Sequence, residues 1–337
     1  MNRNVRNARL TGTAEAHRIH RMMESRERVE ATDGQVDVFG ILAELEVLVV
    51  FKPLDGLLGA FLKQEAPGVI ISTKRPYSVQ RFTGAHELGH AVLDHDPSLD
   101  SPGVLRRAAI GYIPTGTGNF RAYLQEIEAD AFAGELLAPR WLLIYHAKRQ
   151  GWQASQLSDP DVAYQMALRC GCSYEATLRS LARNSLISET QVDAALKAKP
   201  KALKARLRGE AEWINPWSDV WRLTERDQGH RVPAADGDML RVGLLQKSAA
   251  GYRWTANEVD PGLLLLMEDV RITTATVGGP SEKLWYYRAG GEGLAVASYA
   301  ERRPWEAAAV AAATFEVNIK PVEKGLSRAN RARLVVA

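Results

Sequence analysis

The sequence predicts an α+β protein in two parts: a mainly helical N-terminal domain with a small β-sheet, followed by an all-β sandwich. Three observations support this. Helical apolar spacing dominates the first two hundred or so residues. Short runs of β-branched and aromatic residues, split by Gly and Pro, interrupt it between residues 46 and 73. Beyond Trp213 the texture changes to apolar and polar residues in alternation, with Gly-rich turns between the runs. At 337 residues, with 46% apolar and 25% charged side chains, the chain is long enough to bury more than one core.

In order along the chain, residues 14–28 read as a charged helix and residues 36–45 as a second one. EVLVVFKP, GAFLKQ and GVIIST follow as short strands. Residues 76–93 are helical. The interval from Asp96 to Phe120 is rich in Gly, Pro and Ser and long for a compact domain, so it is expected to be a lid or a mobile segment. FRAYLQEIEADAFAGELLAP is a strong helix closed by Pro139. Two or three helices are expected between residues 159 and 196, and a basic run follows, with Lys197, Lys199, Lys201, Lys204, Arg206 and Arg208. In TFEVNIK, Phe315, Val317 and Ile319 face one way and Glu316, Asn318 and Lys320 the other; MLRVGLL, VRITTATV and KLWYYRA alternate similarly. The expected divisions are 1–148, a helical extension with basic linker at 149–210, the β-module at 211–324, and a tail at 325–337.

A net charge of +3 gives no warrant for a nucleic-acid binder or a membrane-surface protein. The basic N-terminus has no apolar segment after it, and no apolar run approaches bilayer length, so a cytoplasmic protein is expected. Cys170 and Cys172, spaced CxC, are expected to be reduced structural thiols.

The chemistry lies in HELGH. Residues four apart share a helix face, so His86 and His90 can aim ring nitrogens at one divalent ion, and Glu87 beside them can serve as general base. Gly89 costs about 1 kcal/mol of helix stability against Ala, which suggests that bulk there would crowd a metal or substrate. A catalytic zinc needs a third protein ligand. Asp94 and His95 are local candidates, but Leu93 and Asp96 break the extended HExxHxxGxxH pattern, and His95 lies on a different face if the helix continues. Glu126 is preferred. Asp130 stands one turn beyond it on the same side, placed to accept the second N–H of a ligating histidine, whereas Glu128 points about 200° away. The alternative for this stretch is a solvated acidic face with Leu124, Ile127 and Ala131 packed inward.

RFTGAHELGHAVLDH followed by EIEADAFAGELLAP resembles the ImmA/IrrE metallo-endopeptidases, over about residues 10 to 195. The resemblance implies a zincin-like fold, Zn2+ held by His86, His90 and Glu126, and Glu87 as the catalytic base. Family members often carry a histidine where this chain has Asp94, with His95 one later. The family implies a protein substrate, commonly a helix-turn-helix transcriptional repressor. DVAYQMALRCGCSYEATLRSLARNSLIS resembles the winged-helix-like segment that follows the peptidase core; packing or substrate docking is at least as good a reading of it as direct DNA contact.

GYRW (Gly251–Trp254), Gly278 with Gly279, and RPW (Arg303, Pro304, Trp305) are similar to the chagasin-like inhibitors of papain-type proteases, which are Ig-like sandwiches. Where those inhibitors carry Asn-Pro-Thr-Thr-Gly, this chain has Ser248, Ala249 and Ala250 before Gly251. That favours a retained fold with altered binding, in which Gly251, Tyr252, Arg303, Pro304 and Trp305 dock a substrate or partner. Packing of Trp305 on the sandwich end is the alternative. The sequence thus points to a zinc endopeptidase with a docking module, or else to a binding protein acting through the sandwich on a non-catalytic scaffold.

Overall fold

The computed structural model describes residues 3–32, 34–62, 67–96, 98–100, 117–212, 218–272, 279 and 281–320. It has the α+β architecture, a helical part with a small sheet and then a β-sandwich. Gly278, the tail at 325–337 and most of the Asp96–Phe120 interval lie outside the described residues.

Helix α1 (Arg3–Met22) buries Val5, Ala8, Gly12, Ala16 and Ile19, a stripe of mostly small side chains at helical spacing. Glu24 then adopts the left-handed conformation (φ 47°), so the single helix expected over 14–28 is two, with α2 spanning Ser25–Ala31. In α3 (Val38–Glu44) the Asp37 side chain caps the N-terminus by accepting from the Gly40 N–H. Strands β1 (Leu48–Lys52), β2 (Gly59–Leu62) and β3 (Gly68–Ser72) follow, then α4 (Tyr77–Val92).

A fourth strand, β4 (Ser98–Asp100), pairs antiparallel with β2, giving the order β1-β3-β2-β4. The expectation of a lid or mobile segment from Asp96 onward is therefore wrong for its first part, which is a sheet edge. Helix α5 (Thr117–Leu137) packs against both α1 and α4. A Cβ on Gly12 would lie 2.1 Å from the Glu128 carbonyl oxygen, so the two backbones touch there.

Helices α6 (Arg140–Gln150), α7 (Pro160–Cys170), α8 (Tyr174–Arg183) and α9 (Glu189–Ala195) extend the same core, and the basic run folds as α10 (Pro200–Arg208). The CxC motif is a helix terminus: Gly171 ends α7 in the left-handed conformation (φ 66°) between buried Cys170 and half-buried Cys172. Burial pushes both thiols up, Cys172 to about 11, as expected for inert structural residues.

Two four-stranded sheets form the sandwich. One has the order β5 (Val220–Leu223), β7 (Met239–Gln246), β10 (Ser281–Ala289), β9 (Leu263–Ile272), and the other β6 (Arg231–Val232), β12 (Ala311–Ile319), β11 (Gly293–Arg302), β8 (Arg253–Val259). In β12, Phe315, Val317 and Ile319 are buried in alternation, as read from TFEVNIK. In β10 both faces are buried. Trp285, Tyr287 and Ala289 face the sandwich core, whereas Leu284 and Tyr286 join the helical core, so this sheet is the middle layer of three.

The edge of that sheet is closed by α7. Gln165 donates to the Val220 carbonyl (2.8 Å) and accepts from the Arg222 N–H (2.8 Å), pairing with β5 as a neighbouring strand would. Arg169 reaches the buried Asp227 at 2.8 Å, and Tyr164 donates to Asp219 at 2.8 Å.

Candidate metal centre

The helix carrying HELGH is anchored along its length. Arg81 is buried and donates to the carbonyls of Gly171 (3.1 Å) and Val36 (2.8 Å), tying α4 to the end of α7. On its sheet side, a Cβ on Gly59 of β2 would come within 2.4 Å of the Thr83 Cγ2 and 3.0 Å of Glu87 Oε1, so the strand passes directly over the acid. On its other side, a Cβ on Gly89 would already stand 3.1 Å from both the Ala129 Cα and the Phe132 Cδ1. This corrects the expectation for Gly89: its small size serves the close approach of α4 to α5, not clearance for a metal or substrate.

That approach brings the donors together. His86 Nε2 and His90 Nε2 face each other at 3.1 Å, Glu126 Oε2 lies 3.4 Å from the first, and Glu126 Oε1 lies 3.5 Å from the second. A tetrahedral ion with bonds of about 2.0–2.2 Å separates its ligands by roughly 3.3–3.6 Å, so the triangle is close to zinc size. Both imidazoles and Glu87 are fully buried, and Glu126 Oε2 is buried with no hydrogen-bond partner among the described residues. Burial, reinforced by His86 and His95, holds His90 down to about 2, so its ring stays neutral with a lone pair to offer. Two imidazoles and a carboxylate, converging away from solvent, suit zinc.

Behind the donors, Asp130 Oδ1 stands 3.0 Å from His86 Nδ1. Glu128 takes no part in the triangle, yet it does not face solvent alone: its Oε2 accepts from His95 Nε2 at 2.8 Å, and His95 Nδ1 stands 3.0 Å from His90 Nδ1. The sequence reading, which put His95 on a different face if the helix continued, did not foresee this contact. The helix stops at Val92, and a left-handed Asp94 (φ 55°) turns His95 back under His90. The signal available was Asp94 itself, one of the few non-glycine residue types that tolerate such a turn. Of the residues that the alternative reading packs inward, Ile127 is buried against Val5 and Ala8.

At one end of the sandwich the structure brings together the RPW and GYRW stretches. The Arg303 guanidinium lies 4.7 Å from the centre of the Tyr252 ring, and its Nε donates to the Ala250 carbonyl at 2.9 Å. Gly251 (φ 82°) lets Trp305 lie close over it. Trp305 is 73% exposed and Pro304 is exposed, so Trp305 is not packed into the sandwich end. Trp254 is, with its Nε1 donating to the Leu245 carbonyl at 2.8 Å.

Fold and site together define a two-part chain, a helical unit whose His86, His90 and Glu126 could hold a metal ion, joined to a β-sandwich. Residues 42–182 match the family model of the IrrE N-terminal-like domain, and residues 234–319 that of the chagasin family peptidase inhibitor I42. The chain therefore carries an IrrE-like region followed by a chagasin-like one. No curated protein matches it. Similar solved structures include the cysteine protease inhibitor EhICP2 of Entamoeba histolytica, 19% identical, covering 32% of this chain and 100% of that one with a TM-score of 0.28. Amebosin is 20% identical over 31% of this chain and 98% of its own, with a TM-score of 0.27. PbICP-C, solved in complex with falcipain-2, is 12% identical over 34% and 95%, with a TM-score of 0.23. At such scores the sandwich assignment rests on its strand order and the family match.

Proposed function

We propose that this chain is a zinc-dependent endopeptidase that cuts a protein substrate, with the sandwich end as a docking surface. The observation that carries this is the convergence of His86, His90 and Glu126 at zinc spacing, in a region matching the IrrE-like model. Zinc bound there would act as a Lewis acid toward a peptide carbonyl and toward the attacking water. Glu87, buried beside the donors, takes the proton from that water and passes it to the leaving amide nitrogen. Asp130 keeps the His86 proton on Nδ1, leaving Nε2 free to bind. The substrate proposed from the sequence resemblance is a helix-turn-helix repressor, cut in stress response or control of a mobile element.

The setting proposed is cytoplasmic; among the described residues no helix is long and apolar enough to cross a membrane. A second reading has one specific observation behind it. The exposed Trp305, supported by Gly251, Tyr252 and Arg303, is a ready-made contact in a region that matches an inhibitor family, so the chain could act by binding a cysteine protease, with the helical unit as a scaffold. Incubating the purified, zinc-loaded chain and its Glu87→Gln variant with helix-turn-helix repressors encoded near it, and separately with papain, tests both. Cleavage of a repressor by the wild type alone supports the first reading. Papain inhibition without any cleavage supports the second.

A further inference from the structure

We infer that His95 and Glu128 form a positioning chain that holds His90 in one tautomer and orientation, a second support distinct from that given to His86 by Asp130. This rests on the metal reading above. The hydrogen positions follow from the chemistry. If His90 Nε2 gives its lone pair to the ion, its proton must sit on Nδ1, 3.0 Å from His95 Nδ1. His95 Nδ1 must then be the acceptor, which places the His95 proton on Nε2, and that nitrogen is 2.8 Å from a Glu128 carboxylate oxygen. Every proton in the chain has a single place, and the carboxylate closes it. Reversing the direction would put a proton on His90 Nε2 and destroy the donor.

The backbone is built to deliver His95 to this position. The His95 N–H bonds the His90 carbonyl at 3.0 Å and the Asp94 N–H bonds the Ala91 carbonyl at 3.3 Å. These are the two bonds of a Schellman motif, with left-handed Asp94 just past the helix end. The motif makes the residue five positions after His90 return beneath it, where a continuing helix would carry it to another face. Glu128 is fixed from the opposite side, because Gly12 of α1 touches the Glu128 carbonyl. His95 is 4% exposed, so water does not compete for its ring nitrogens. The donor triangle therefore stands on two unequal supports, a direct carboxylate behind His86 and an imidazole–carboxylate pair behind His90.

The test uses the full chain, stripped of metal and titrated with zinc against a chromophoric chelator. Removing such a support typically weakens metal affinity about 10–100-fold. His95→Phe, which keeps ring volume and removes the acceptor, is expected to weaken zinc binding within that range and to change the visible spectrum of the Co(II)-loaded chain. Glu128→Gln is expected to weaken it less, and to have no further effect once residue 95 is Phe. The melting temperature of the metal-free chain separates this from loss of fold. Should His95→Phe unfold the chain, Glu128→Gln alone decides, since its side chain is 23% exposed. Wild-type affinity and an unchanged Co(II) spectrum in Glu128→Gln and His95→Phe overturn the chain, as do effects of the two that simply add. Failure of the wild type to bind zinc overturns the metal reading itself, a result visible before any variant is made.

Discussion

Two regions of this molecule hold their side chains in opposite ways. At the donor triangle the side chains are buried, cross-braced by acids on α5, and pressed together by helix backbones that touch at Gly89 and Gly12. At the sandwich tip Pro304 and Trp305 lie in solvent on half-buried neighbours, with Trp305 supported by Gly251 and with Arg303 over Tyr252. Under the proposed function, the difference is one of what each would bind. A small ion with fixed bond lengths requires donors assembled in advance, and their desolvation is offset only if all converge. A protein partner brings its own surface, so the tip can stay open and gain its burial on contact.

The largest effect expected from this contrast is at Glu87. Glu87→Gln keeps the side-chain volume and removes the proton-accepting carboxylate, so zinc content and melting temperature are expected to stay at wild-type values while cleavage falls about 10²–10⁴-fold. Peptidase assays alongside metal analysis measure both. A variant that retains full activity would remove the acid from the mechanism.

The next effect concerns the braces. Gly12→Ala places a methyl 2.1 Å from the Glu128 carbonyl, which only a backbone shift can relieve. Overpacking of this kind costs about 1–3 kcal/mol, and because α5 carries Glu126, Glu128 and Asp130, zinc affinity is expected to fall with it. Alanine at Trp305, by contrast, is expected to leave unfolding within about 0.5 kcal/mol of wild type. Denaturant melts of the two variants compare them directly.

Acid should also separate the two halves. Burial holds His20 down to about 4, against its bond to the Glu135 carbonyl, and His146 to about 3, against its bond to Gly34. Above about pH 6.5 these rings are neutral folded or unfolded and contribute no pH dependence. Below it the unfolded chain takes up protons that the folded chain refuses, so stability falls as pH drops from 6.5 toward 4. Hydrogen exchange at pH 7.5 and pH 5 is expected to show the loss in the helical half. Equal loss in both halves would mean that the shared sheet couples them into one unfolding unit.

The smallest effect on stability carries the clearest test of the tip. Trp305→Ala is expected to raise the KM for an intact protein substrate while leaving cleavage of a short peptide unchanged. Equal effects on both would place Trp305 in the peptidase cleft and not at a docking surface.

Much of this was legible in the residues. HELGH and EIEAD mark the side chains that the structure brings together, because helix periodicity alone places His86 with His90 and Glu126 with Asp130. The strand alternation in TFEVNIK marked the sandwich for the same reason. What was hidden depends on contacts that sequence order does not show. The role of Gly89 needed the position of α5, and the place of His95 needed the end of α4. The two buried faces of β10 needed a helical layer lying across it, since KLWYYRA reads the same whether one face or both are covered. Strand β4 was lost within a Gly- and Pro-rich interval because three residues are too few for a period.

The measurement that bears most directly on the account is zinc stoichiometry of the purified chain and of its Glu126→Ala variant, by elemental analysis after dialysis against metal-free buffer. One zinc per wild-type chain, and none retained by the variant at unchanged fold, is the predicted result. Zinc held equally well without the Glu126 carboxylate, or not held by the wild type at all, would contradict it.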